Sequence, residues 1–192
     1  MEEEVAEDPG EQARKRKCMR TQGLLALAGL IMIVSAFACL MGTSLPWFTV
    51  RTETVKGAAI ITTLSLWSRR ALEGHGFSMT KVNLAVLCSV TALIFSILAS
   101  VILIFACCRE SKQLAFLGSW LCFGCVISCM GTGGLAAFAG LAGIYGHNHS
   151  GSTAEITGFV LALLAWWVLG KRRNSPQEDH VLRAAEVDTV PA

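Results

Sequence analysis

The sequence predicts an all-α membrane protein, a four-transmembrane-helix bundle with a small antiparallel β-sheet in its first extracellular loop. Three observations carry this. The 192-residue chain is 53% hydrophobic and 16% charged, with its charges gathered in the tails and one long loop. Four stretches, 23–51, 82–108, 114–146 and 156–170, carry no charge up to the polar or charged residue that closes each, and about 20 apolar residues suffice to cross a hydrocarbon core as a helix. The segment between the first two stretches is rich in Thr, Val and Ile with the period-two alternation of strands.

The elements follow in order. Residues 1–22 read as a disordered tail, acidic at first and then basic (Arg14, Lys15, Arg16, Lys17, Arg20). The basic cluster could bind anionic lipid headgroups, although setting topology is a sufficient role for it. The first helix is expected over 24–45. Its apolar run is about twice a signal-peptide core, and Ala36 and Ala38 make a poor cleavage exit, so the run reads as a retained span.

An outer loop over 46–81 follows, with strands over 47–55 and 59–67 and a turn at Lys56-Gly57. A two-stranded hairpin is marginal alone, so it must rest on the helix ends or gain further strands. The remaining helices are expected over 82–106, 114–144 and 154–170, completing a membrane domain of 23–170 before a disordered tail of 171–192. The third uncharged stretch would be roughly 50 Å long as a helix. It must project beyond the outer leaflet or break near Gly131-Thr132-Gly133-Gly134.

Orientation follows from Lys and Arg. The two tails and the short connection holding Arg109 and Lys112 carry eleven, against five in the long first loop and none in the connection over 145–155. By density both termini are cytoplasmic and the long loop faces outward. Lys171-Arg172-Arg173 after Trp166-Trp167 agrees, as a stop signal behind an interfacial aromatic pair.

Chemistry is sparse. No ionisable residue is expected at membrane depth, with Glu155, His147 and His149 assigned to the outer mouth, which argues against pumps, proton-coupled carriers and intramembrane hydrolases. No catalytic, cofactor-binding or metal residue is expected. None of the eight cysteines lies in an outer loop, so no extracellular disulfide can form.

Cys122, Cys125 and Cys129 share a helix face and superficially suggest a metal site, but without a nearby His or carboxylate they read as packing residues. Cys107 and Cys108, at the cytoplasmic boundary, are candidate S-palmitoylation sites. Asn148-His149-Ser150 is a glycosylation sequon on the outer side. Gly124 with Ser128, and Ala136 with Gly140, have the four-residue spacing that lets helices approach closely, within one molecule before between two.

Trp47 just after the first helix, and Ser65-Leu66-Trp67 twenty residues on, resemble the first-loop motif of the claudin and peripheral myelin protein superfamily of tetraspans. Thr63-Leu64-Ser65-Leu66-Trp67, Ala106-Cys107-Cys108 and the Gly158-Phe159 and Ala165-Trp166 pairs are similar to elements of the amastin family of surface glycoproteins. The loop cysteines of both families are absent here, with Arg70 near where the first would fall. The resemblance implies a claudin-like fold, a loop motif of Trp47, Leu66 and Trp67, and a non-enzymatic surface protein of the plasma membrane.

Two roles follow as expectations. One is a structural, adhesion or surface-interaction protein; the alternative is an accessory or trafficking subunit of another membrane protein such as a channel. The expected partners are the lipid bilayer, further copies of the chain or other membrane proteins, and no nucleic acid. An internal membrane is the alternative location.

Overall fold

The structure, a computed structural model, describes residues 9–53, 59–109, 111–140, 146–147 and 149–187. The order is α1 (Pro9–Ser44), β1 (Pro46–Glu53), β2 (Ala59–Ser65), α2 (Arg69–Gly74), α3 (Met79–Arg109), α4 (Lys112–Gly140), β3 (Gly146–His147) and α5 (His149–Val187). Four segments are long and apolar enough to cross a membrane: Thr21–Ser44, Met79–Arg109, Lys112–Phe138 and Ser150–Lys171. Among the described residues α1 packs on α3 and α5, and α4 packs on the same two. α1 and α4 therefore face each other across the bundle, where they also touch.

The helical core is made of small side chains. Ala28, Ala92, Ala99, Ala106, Ala162 and Ala165 are fully buried, with Ser35 and Ser96 among them. Larger residues such as Leu30, Phe37, Phe105, Ile127 and Met130 face outward. An apolar exterior over a small-residue interior suits lipid, where close backbone approach rather than water expulsion holds helices together. A Cβ at Gly118 would come within 2.6 Å of Leu103 Cδ2, and one at Gly124 within 2.8 Å of the Phe95 ring. The α4 glycine stripe thus serves the α3–α4 contact within the chain.

A second core lies at the end where α1 finishes. The sheet has the order β2-β1-β3, both pairings antiparallel. Alternation sends Phe48 and Val50 of β1, and Leu64 of β2, onto the bundle. Trp47 would point away, but the ladder is irregular between Pro46 and Phe48, and both aromatic residues are buried. Leu66, Leu72, Phe77, Val82, Ala85 and Val86 complete this cluster. The rings of Phe48 and Phe77 lie 4.8 Å apart, and Gly76, at φ 77°, supplies the left-handed turn before Phe77.

The four spans and the two strands lie where expected, and several boundaries differ. α1 begins at Pro9 and α5 runs to Val187, so segments 9–22 and 171–187, expected as disordered, are helical. In α1 most of the extension is Glu, Gln, Ala, Arg, Lys and Met, all strong helix formers, which outweigh the charge clustering. α4 runs unbroken through Gly131-Thr132-Gly133-Gly134 to Gly140. Thr132 there donates to the Ser128 carbonyl at 3.0 Å, and the turn is held by α3, whose Cys88 Sγ would meet a Cβ at Gly131 at 3.2 Å. The short α2 and the third strand β3 were not expected; β3 supplies the support that a lone hairpin needs. The turn at Lys56-Gly57 lies outside the described residues.

Candidate functional site

The loop-motif residues come together at the junction of sheet and bundle. A helix leaves its last four carbonyls without intrahelical donors. In α1 those of Met41, Gly42 and Thr43 each find one, and Leu40 just before them accepts as well. Thr43 Oγ1 and Ser44 Oγ donate to Leu40 at 2.7 and 2.9 Å, and the Leu45 N–H donates to Met41 at 2.8 Å. Trp47 Nε1 donates to Gly42 at 2.6 Å, and Trp67 Nε1 to Thr43 at 2.8 Å. Two indoles from the loop thus cap the helix from which the loop departs. Leu66 is buried in one cluster with Trp47, while Trp67 is 51% exposed. On the other side of Trp47, α5 passes so closely that a Cβ at Gly151 would fall 2.6 Å from its Cδ1.

Beneath this junction the bundle interior is polar, which the sequence did not foretell. Glu155 was expected at a wet mouth but is 2% exposed. The reason is the start of α5 at His149, which puts Glu155 well inside the helix, about 9 Å along its axis at 1.5 Å per residue. Its carboxyl occupies the space left by the missing side chain of Gly42, where any Cβ would collide with Oε2. Thr132, Cys129 and Ser89 surround it, yet among the described residues neither carboxyl oxygen makes a hydrogen bond of ordinary geometry, and Ser89 Oγ is equally without a partner. A buried carboxyl so placed is costly unless a proton, cation or water completes it. The expectation of no ionisable group at depth is thereby corrected.

The cysteines are also arranged differently from their spacing. Cys125 and Cys129 face the interior with Cys39 of α1, and these three Sγ atoms lie within 4.8 Å of one another. Cys122, though buried, is not part of the group. Cys39 reaches this position because Gly158 of α5 leaves room, a Cβ there falling 2.8 Å from Cys39 Sγ. Ser35, one turn below, donates to the Gly158 carbonyl at 2.9 Å. A cavity of about 460 Å³ between α4 and α5 is lined by Cys129, Glu155, Trp47 and Gly133, and so connects the polar interior to the sheet junction.

The remaining expected sites lie at the two ends. At the end opposite the sheet, Cys108 is exposed, whereas Cys107 is half-buried with its thiol donating to the Gln22 carbonyl at 3.6 Å. An aromatic run, Phe116, Trp120, Phe123 and Trp166, continues there with ring separations of 6.1, 6.2 and 5.7 Å. Lys171 Nζ sits 4.0 Å over the Trp167 ring. Such a belt with a cation at its rim suits a membrane interface. Asn148 lies outside the described residues, between β3 and α5.

Fold and site define a class: a multi-pass protein of four membrane-length helices, capped at one end by a sheet and polar inside near that cap. No protein-family model matches the chain, and no curated protein matches it either.

Proposed function

We propose that this chain is a non-enzymatic multi-pass surface protein with a structural, adhesion or surface-interaction role, and that its sheet is the contacting element. The carrying observation is the β2 strand. It stands at an edge of the sheet, with Ile60 and Ile61 exposed (Ile61 at 69%) and Thr62 and Thr63 exposed beside them. An edge strand with free backbone groups and apolar side chains is a template for pairing with another chain, and nothing at these positions supplies the charge that usually blunts such edges. The sheet is also well held, through the two indole caps and the Trp47–Gly151 contact, so a partner would meet a preorganised surface.

In this reading the sheet faces outward at the plasma membrane and both termini are cytoplasmic. Asn148 then carries the glycan, and the exposed Cys108 is the better acyl acceptor of the cysteine pair. A claudin-like or amastin-like ancestry would fit this arrangement.

The test is crosslinking of the tagged full-length protein on intact cells, followed by purification in mild detergent, for the native chain and for Ile60→Lys with Ile61→Lys. The reading expects crosslinked species that the double variant loses while its surface delivery is unchanged. A stoichiometric unrelated membrane protein that still co-purifies with the variant would replace it with the accessory-subunit role. A glycosidase-sensitive band shift abolished by Asn148→Gln checks the orientation.

A further inference from the structure

We propose that Cys39, Cys125 and Cys129 form a binding site for a thiophilic metal ion, Zn²⁺ or Cu⁺, with the Glu155 carboxyl beside the thiols as the charge that supports it. The site belongs to the bundle interior and does not depend on the role of the sheet.

The thiols come from two helices that face each other across the bundle. Cys125 and Cys129 are four residues apart on α4 and so share a face. Cys39 comes from α1, through the gap at Gly158. All three are buried, and their sulfurs lie within 4.8 Å of one another. The Cys39 and Cys129 sulfurs are 3.8 Å apart. Two thiolates bound at about 2.3 Å to one tetrahedral Zn²⁺ stand about 3.8 Å apart, so this pair already has the separation a shared ion requires. Thiolate-rich sites select Cu⁺ and Zn²⁺ over the harder cations.

Glu155 is the second and independent observation. It is 98% buried by its 2% exposure, and both carboxyl oxygens lack hydrogen-bond partners among the described residues. Cys129 is among the side chains around that carboxyl and lines the same cavity. Packing alone accounts for small buried cysteines. It does not account for an unpartnered carboxyl beside them, in an interior where Ser35, Ser96 and Ser100 are hydrogen-bonded and only Ser89, beside that same carboxyl, is not, among the described residues. A cation does, because it supplies the charge and the bonding that the carboxyl lacks. Binding would release protons from the thiols, and the ion would tie α1, α4 and α5 together at one level of the bundle.

The full-length protein, purified in mild detergent without chelator, would be assayed for zinc and copper by elemental analysis, then stripped and titrated with Co²⁺. We expect retained zinc or copper, the identity deciding between the two ions, and a thiolate-to-cobalt charge-transfer absorption. Cys39→Ala should abolish that absorption, and Glu155→Gln should weaken binding by about 10- to 100-fold. Cys122→Ala, which removes a buried thiol outside the group, should leave both unchanged. Should Cys39→Ala fail to fold, the native protein's metal content and cobalt spectrum decide alone. Native protein that neither retains metal nor gives the absorption overturns the proposal, as does an absorption that survives Cys125→Ala with Cys129→Ala. Unchanged affinity in Glu155→Gln removes the carboxyl from the site.

Discussion

The helical core and the sheet-end core of this molecule are built from opposite kinds of side chain. Between the helices most of the buried residues are small, Ala and Cys with Ser, beside a few larger ones such as Leu25, Met32 and Leu103, and contact is made by backbones brought close. Under the sheet they are Trp47, Phe48, Leu66, Leu72 and Phe77, and contact is made by large side chains filling the space between elements. The difference matches what each core has to work with. Lipid gives helices no reason to hide apolar surface from it, so their association rests on fit and on polar contacts. For a sheet outside the hydrocarbon, water would be available to be expelled, and burial of large apolar side chains would regain its usual worth.

The two cores should therefore fail in opposite ways. The largest expected effect is Trp47→Ala, which empties a buried site and uncaps Gly42, costing about 3–5 kcal/mol. Thermal unfolding in detergent, read by accessibility of the buried cysteines, measures it; a loss below 1 kcal/mol would show that the sheet rests on the bundle without stabilising it. Next comes Gly118→Leu, which drives a side chain into Leu103 and should cost about 1–3 kcal/mol by overpacking. Stabilisation instead would mean that the helical core has slack, and the contrast between the cores would weaken.

Trp67→Phe keeps most of the half-exposed ring and removes its bond to Thr43, costing about 1 kcal/mol in the same assay. Because its effect is on a cap, it should also raise amide exchange in the last turn of α1 while leaving α4 unchanged. The smallest effect is expected for Lys171→Gln, at about 0.5 kcal/mol, since the cation over Trp167 lies at an exposed rim. Tryptophan fluorescence of the detergent-solubilised protein, compared with Trp167→Phe, is the measurement sensitive enough to see it.

The helical core was legible in the sequence in its outline and not in its contents. Uncharged stretches gave the four spans because charge is expensive in lipid wherever it falls, so its absence marks length directly. Alternation in β1 and β-branched residues in β2 gave the strands, and Trp47 and Leu66 stood out as loop residues that the structure buries. Cys39 could not be joined to Cys125 and Cys129, because periodicity assigns residues to a face of one helix and carries no information on which helix stands opposite. Glu155 was misplaced for a local reason: the start of α5 was put near 154, when Ser150, Gly151 and Ser152 already belong to it. The pair Gly42 and Gly158, each clearing space for a polar group of another helix, was the sequence signal that could have revealed the interior, but a glycine names the space without naming its occupant. Strand β3 was too short, at two residues, to leave any pattern.

The capping of α1 by Trp47 and Trp67 has a consequence for the order in which the protein is made. Synthesis delivers α1 before either tryptophan, so the final carbonyls of Gly42 and Thr43 emerge with no donor of their own. The first indole arrives five residues after the carbonyl it caps, whereas the second arrives 24 residues after its own, once β1 has turned back as β2. The end of the first helix is therefore completed in two stages, and the second stage is reached only by a loop that has paired correctly. Until then that turn stays open to water, and any quality-control factor that recognises unsatisfied backbone would find it there.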